Sequence, residues 1–150
     1  MGPLLCCVED SEGGRAALRA AHRLASALGL ELVLLHVAPH TAAPGVGAAP
    51  AAHARLRDEE RRDAEALLER LAASEQPAES ARRVVRVGSA ASAILQEAAA
   101  TDAELIVIGS RGRAGLRVAL LGSVSTAVAA NAPCPCVIVP PGAARSFLAG

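Results

Sequence analysis

The feature that most constrains this chain is the run Leu105-Ile106-Val107-Ile108, closed at once by Gly109. A strand sends successive side chains to opposite faces. An unbroken apolar run therefore predicts a strand over Glu104–Ile108 that is covered on both sides. That is the habit of parallel sheets, whose crossover helices lie on both faces. Shorter runs of the same kind predict strands at Leu4–Val8, Leu32–Val37, Val84–Val87 and Pro135–Val139.

The segments between these runs read as helices. Asp10-Ser11-Glu12 offers capping residues, Ala17, Ala21, Leu24 and Leu28 recur at helical spacing, and Gly29 is a helix stop. Residues 54–73 are dense in charge, with Leu56, Leu67, Leu68 and Leu71 as the apolar face; the charges read as a solvated helix face with paired ions. Ala93–Ala100 and Ser123–Asn131 complete the helices. Residues 38–53 contain Pro39, Pro44, Gly45, Gly47 and Pro50 and read as a mobile loop. Strands alternating with helices predict an α/β fold with a five-stranded parallel sheet. The 150 residues fit one domain spanning 1–150, with no internal repeat.

Composition excludes several kinds of chemistry. All 15 basic residues are arginines, which removes a Schiff-base or Walker lysine. Phe147 is the sole aromatic residue, so stacking platforms for single-stranded nucleic acid are missing. The formal net charge is zero, which argues against a bulk pull toward nucleic acid or an anionic membrane. No apolar stretch is long enough to span a bilayer, and Met1-Gly2-Pro3-Leu4-Leu5 lacks the basic start of a signal peptide; a cytoplasmic protein is the expectation. Cys6 and Cys7 are strand neighbours pointing to opposite faces, and with Cys134 and Cys136 they lack zinc spacing, so no metal site is expected. His36 ends a strand and reads as structural, while His40 and His53 read as solvated. A Gly-x-Ser-x-Gly elbow and a nucleophile–base set are both missing, so no catalytic residue is assigned.

The segment with a chemical message runs from Gly109-Ser110-Arg111-Gly112-Arg113 to Gly122-Ser123-Val124-Ser125. Gly109 and Gly112 follow a buried strand, where the backbone must turn and come close to a ligand. Gly122-Ser123 opens a helix, whose first-turn N–H groups and positive dipole end favour a phosphate. Ser123 and Ser125 add hydroxyls, and Arg111 and Arg113 add fixed positive charge. The spacing is G-x2-G-x9-G-S.

Across nearly its whole length the chain resembles the universal stress protein family. Leu4–Ser11 looks like that family's first strand and loop, and Leu34-Leu35-His36-Val37 like its second strand. Gly88 followed by Ile94 resembles its third loop and helix, and Leu105–Gly112 its Leu-Ile-Val-x-Gly-Ser-x-Gly signature. Gly122-Ser123-Val124 and Pro133-Cys134-Pro135 resemble its last helix and strand. The resemblance implies a Rossmann-like sheet of order 3-2-1-4-5, whose ligand crevice lies where the strand order reverses. It also implies ATP as the ligand. Gly109, Ser110, Arg111, Gly112, Arg113 and Gly122 would wrap the phosphates and ribose, with Ser123, Val124 and Ser125 on the phosphates. Val8, Glu9, Asp10 and the main chain near Val37 would meet the adenosine. A homodimer through the last strand, Cys136–Val139, is implied as well; that strand is an apolar sheet edge in the implied order.

The chain departs from the family at Glu9-Asp10, where Asp-Gly is usual. Either residue could help hold Mg²⁺ beside the phosphates, and Asp10 has the alternative reading of a helix N-cap. The expected function is an adenine-nucleotide-binding stress-response module that acts on an unknown protein partner. The alternatives are a non-nucleotide-binding homodimer and a slow Mg²⁺-dependent ATP hydrolase.

Overall fold

The apolar runs do pair side by side. In a computed structural model, which describes residues 1–39, 47–75, 80–110 and 121–142, the strands are β1 (Leu4–Cys7), β2 (Leu32–Ala38), β3 (Arg82–Val87), β4 (Leu105–Gly109) and β5 (Cys136–Val139). They form one parallel sheet of order β3-β2-β1-β4-β5. Leu5 lies level with Val33 on one side and Ile106 on the other, which places β1 at the centre. The helices are α1 (Glu12–Leu28), α2 (Pro50–Ser74), α3 (Ala90–Ala100) and α4 (Ser123–Asn131). None of them is long and apolar enough to cross a membrane.

Strand alternation divides the apolar residues into two cores. Leu4 and Cys6 of β1, Leu34 of β2 and Val107 of β4 face α1 and α2, packing with Ala17, Leu18, Ala21, Leu68 and Leu71. Leu5, Val33, Leu35, Ile106 and Ile108 face α3 and α4, packing with Ile94, Ala98 and Val128. Each fully buried leucine or isoleucine side chain contributes roughly 1.5–3 kcal/mol, so the three central strands anchor the sheet from both sides.

Helix α1 has clear limits. Ser11 is extended at the N-cap, and its hydroxyl oxygen accepts from the Gly14 N–H at 3.0 Å. Gly29 ends the helix in the left-handed region at φ 66°, where a side chain would be strained. The cap is therefore Ser11, which corrects the N-cap reading of Asp10. The Asp10 carboxylate instead reaches Arg15 at 3.0 Å on the surface.

Several limits differ from the sequence expectations. Helix α2 begins at Pro50, so Pro50–His53 are helical rather than loop, and His53 lies in the first turns of α2. Proline at the first helical position gives up no ladder bond, which is why Pro50 starts a helix here. Residues 40–46, which include His40, lie outside the described residues, as does Phe147. The buried face of α2 is Ala64, Leu68, Leu71 and Ala72, while Leu56 and Leu67 are half-buried. Strand β3 starts at Arg82 rather than Val84, because an edge strand can pair its backbone while its arginines reach solvent. Helix α3 starts three residues early, at Ala90.

Replacing Ser11 by Ala removes the α1 cap and is expected to cost about 1 kcal/mol in urea unfolding. Asp10→Ala changes stability by no more than about 0.5 kcal/mol. The reverse ranking would return the cap to Asp10.

Candidate functional site

All five strands end at the same edge of the sheet, and β1 lies between β2 and β4. From β1 the chain passes to α1 on one face; from β4 it passes to α4 on the other. The strand order therefore reverses at β1 and β4, the place where an open α/β sheet forms its ligand crevice.

The β1 side of the crevice is tightly fixed. The Val8 N–H donates to the Leu35 carbonyl at 2.8 Å, and buried His36 donates its Nδ1 proton to the Val8 carbonyl at 2.8 Å. A carbonyl only accepts, so Nδ1 carries the proton. Beyond Val8 the chain turns, with the Ser11 N–H donating to the Glu9 carbonyl at 2.9 Å. Gly14 lies under this turn: a Cβ there would overlap the Glu9 carbonyl oxygen. Val37 is half-buried near the end of β2, level with Arg86.

The β4 side meets the same helix turn. A Cβ on Gly109 would stand 2.8 Å from the Gly13 carbonyl oxygen, so the end of β4 and the first turn of α1 touch backbone to backbone. The Ser110 N–H donates to the Val139 carbonyl at 3.0 Å. The Ser110 carbonyl accepts from the Gly122 N–H at 2.7 Å and from the Ser125 hydroxyl at 3.2 Å; that hydroxyl also lies 3.0 Å from the Gly122 carbonyl. The start of the glycine loop is thus closed onto the N-terminus of α4. The helix ladder there begins with the Thr126 N–H donating to Gly122, so the amides of Ser123, Val124 and Ser125 precede the first rung. No side chain caps this end.

Ten sequence-predicted residues line this carboxyl edge: Val8, Glu9 and Asp10 after β1, Val37 on β2, Gly109 and Ser110 after β4, and Gly122, Ser123, Val124 and Ser125 at α4. Arg111, Gly112 and Arg113 lie outside the described residues. Ser123 is exposed, whereas Ser125 is buried with its hydroxyl turned inward. Sequence reasoning missed Gly13 and Gly14. Two glycines in the first turn of a helix, where better helix formers are cheaper, were the available signal.

A doubly wound parallel α/β domain with a glycine loop closed on a helix N-terminus defines a class of small-ligand-binding folds. Within it, the sequence profile of the universal stress protein family matches residues 1–140, and the chain belongs to that family. A "Universal stress protein A homolog 2" from Coxiella burnetii is 30% identical over 91% of this chain and 92% of its own length. A Mycolicibacterium smegmatis universal stress protein is 35% identical over 93% of this chain; the chain spans 46% of that relative's length. Among solved structures, the universal stress protein UspA from Lactobacillus plantarum is 24% identical, with a TM-score of 0.71 over 91% of this chain and 97% of its own. A universal stress protein in complex with cAMP is 22% identical, with a TM-score of 0.57 over 93% and 98%. One from Archaeoglobus fulgidus in complex with dAMP is 21% identical, with a TM-score of 0.51 over the same shares.

The cysteines stand apart from the crevice chemistry. Cys6 packs in one core and Cys7 against the other, as strand alternation requires. Among the described residues no group of three or more His, Cys, Asp or Glu could hold a metal ion. Burial pushes the Cys6 thiol far up; burial, then the nearby Cys6, Cys136 and Glu9 charges, raises Cys7 well above its ordinary value. Cys134 and Cys136 are raised as well, chiefly by burial.

The chain has no lysine and no tyrosine, so above the amino-terminal range its thiols are the groups that titrate in alkali. Above about pH 8.5 the unfolded chain loses thiol protons that the folded chain keeps, so stability falls as pH rises. Urea unfolding at pH 7 and pH 10 is expected to show this loss, and a Cys6→Ala, Cys7→Ala variant is expected to show a shallower one. Equal slopes would remove the thiols as its cause.

Proposed function

We propose that the crevice binds an adenine nucleotide, with ATP as the preferred ligand, and that the chain acts as a regulatory stress-response module. The observation that carries this reading is the bond from Gly122 to Ser110, which brings the glycine loop and the open N-terminus of α4 together. The cAMP and dAMP complexes of other family members support an adenine nucleotide as the ligand class.

In this reading the main-chain amides of Ser123, Val124 and Ser125 meet the phosphates at the positive end of α4. The Ser123 hydroxyl adds a donor. Ser125 contributes through its amide, because its hydroxyl is already used within the loop. Gly109, Ser110, Arg111, Gly112 and Arg113 enclose the phosphates and ribose, with the two arginines as counter-charge. Val8, Glu9, Asp10 and Val37 line the adenosine end. Mg²⁺ would be held mostly by the phosphates, with Glu9 or Asp10 as the protein's oxygen ligand.

The chain is further proposed to be a single cytoplasmic domain that pairs through β5. Val137 and Ile138 on that edge strand are half-buried within one copy, which leaves apolar surface for a partner edge. Val137→Arg is expected to shift the protein to monomer in light scattering at micromolar concentration while its circular dichroism stays unchanged. A dimer that survives this change would place the interface elsewhere.

Calorimetric titration with Mg-ATP, AMP and cAMP tests the nucleotide reading. Saturable binding at one site per chain is expected, with ATP tightest and Gly122→Val abolishing it. Gly122 is extended at φ −65°, so valine there blocks the phosphates without backbone strain. No heat with any nucleotide would leave a dimeric interaction protein. Phosphate release that depends on Mg²⁺ and disappears with Gly122→Val would make the site a slow hydrolase.

A further inference from the structure

The opposite border of the sheet carries a second feature, independent of nucleotide binding. Among the described residues, strand β3 has β2 on one side and no strand on the other, so half of its peptide groups point away from the sheet. An open cleft of about 610 Å³ follows this edge. One wall is α2, with Arg61 and Glu69; the other wall includes Glu97 of α3. The floor is β3 itself, Arg82-Arg83-Val84-Val85-Arg86.

The arginines flank the edge from both faces. Arg83 shares a face with Val85 and meets Glu69 of α2 at 3.3 Å. Arg82 and Arg86 share the other face with Val84. Arg86 is committed to buried Glu97 at 2.7 Å. Arg82 is half-exposed, and its carboxylate partner, Glu31, is 3.9 Å away and more exposed still; such a pair is worth little in water. With Arg61, the cleft holds four arginines against three glutamates, Glu65, Glu69 and Glu97. Charge is therefore available from Arg61 and Arg82 without uncovering a buried carboxylate.

We propose that the free edge of β3 docks an acidic, extended segment of a partner protein, which adds to the sheet as a further strand with its carboxylates against Arg61 and Arg82. In this mode main-chain hydrogen bonds supply affinity and alternate side chains supply selection. Charge decides the occupant. A second copy of β3 would set arginine opposite arginine, and like charges across a strand pair are destabilising. A neutral strand gains nothing from the arginines and must desolvate them; this is how charged edges resist unwanted pairing. An acidic strand turns the same groups into partners. A small anion would meet the arginines but leave the edge peptide groups unpaired.

The test uses the whole chain and a fluorescein-labelled octapeptide in which Glu-Glu pairs alternate with Val-Val pairs, so that carboxylates reach both faces of the added strand, read by anisotropy at about 50 mM salt, where exposed charges are lightly screened. Saturable binding is expected, with slowed amide exchange on β3. The R61E/R82E double variant is expected to bind at least about tenfold more weakly, a loss of about 1.4 kcal/mol, with unchanged circular dichroism. Arg86 is left intact because it holds Glu97. The same peptide with prolines in place of its valines keeps the charge but lacks N–H groups on both strand edges, and it is expected not to bind. Equal binding of the proline peptide would reduce the effect to ionic attraction and overturn the proposal. So would no binding of the acidic peptide, unchanged affinity in R61E/R82E, or displacement of the peptide by equimolar citrate, which would mark a small-polyanion site.

Discussion

The structure turns on the contact between the end of β4 and the first turn of α1. Gly109 and Gly13 meet through their main chains, with no room for a side chain at Gly109. This contact lets α1 lie close across the sheet, so its small residues Ala16, Ala17, Ala20 and Ala21 can be buried against it. It also fixes the spacing between the β1 and β4 loops, the two lips of the crevice. Gly14, beneath the Glu9 carbonyl, and the Ser11 cap, bonded to the Gly14 amide, belong to the same joint. A larger side chain at Gly109 or Gly14 would push α1 outward and loosen both lips together.

Hydrogen bonds then set the shape of each lip. His36 ties β2 to the end of β1, and the main-chain N–H and carbonyl of Ser110 gather Gly122, Ser125 and Val139 around one residue. These groups are buried or nearly so, and an unpaired polar group there would cost about 1–3 kcal/mol. Polar residues near the crevice thus divide by duty. Ser125 and His36 are turned inward to hold backbone, while the exposed Ser123 and the first-turn amides of α4 face outward. The two sheet borders differ just as clearly: β5 is apolar, whereas β3 is half arginine and anchored by a buried carboxylate at Glu97.

Much of the fold was legible because each central strand must be apolar on both faces. Leu105–Ile108 could hardly be anything else, and Gly29 and Ser123–Asn131 fell where the local signals put them. The ends that were misplaced are those where tertiary pairing overrides composition. Arg82 and Arg83 join a strand because β2 offers a register, and Pro50 opens a helix because its missing N–H costs nothing there. The site was legible through the glycine and serine spacing. Gly13 and Gly14 were not, because their need arises from a carbonyl of the loop before them and a strand almost a hundred residues away.

The sequence by itself determined the class of fold, the strand order implied by its family signature, and the residue types at the crevice, because periodicity, caps and glycine spacing are local properties of the chain. Tertiary structure alone decided which hydroxyl is spent and which is exposed. It also decided that Ser11 rather than Asp10 caps α1 and which arginines are committed to a carboxylate. Each of these depends on a partner distant in sequence, and a side chain's chemistry at a site is set by what already occupies its hydrogen bonds.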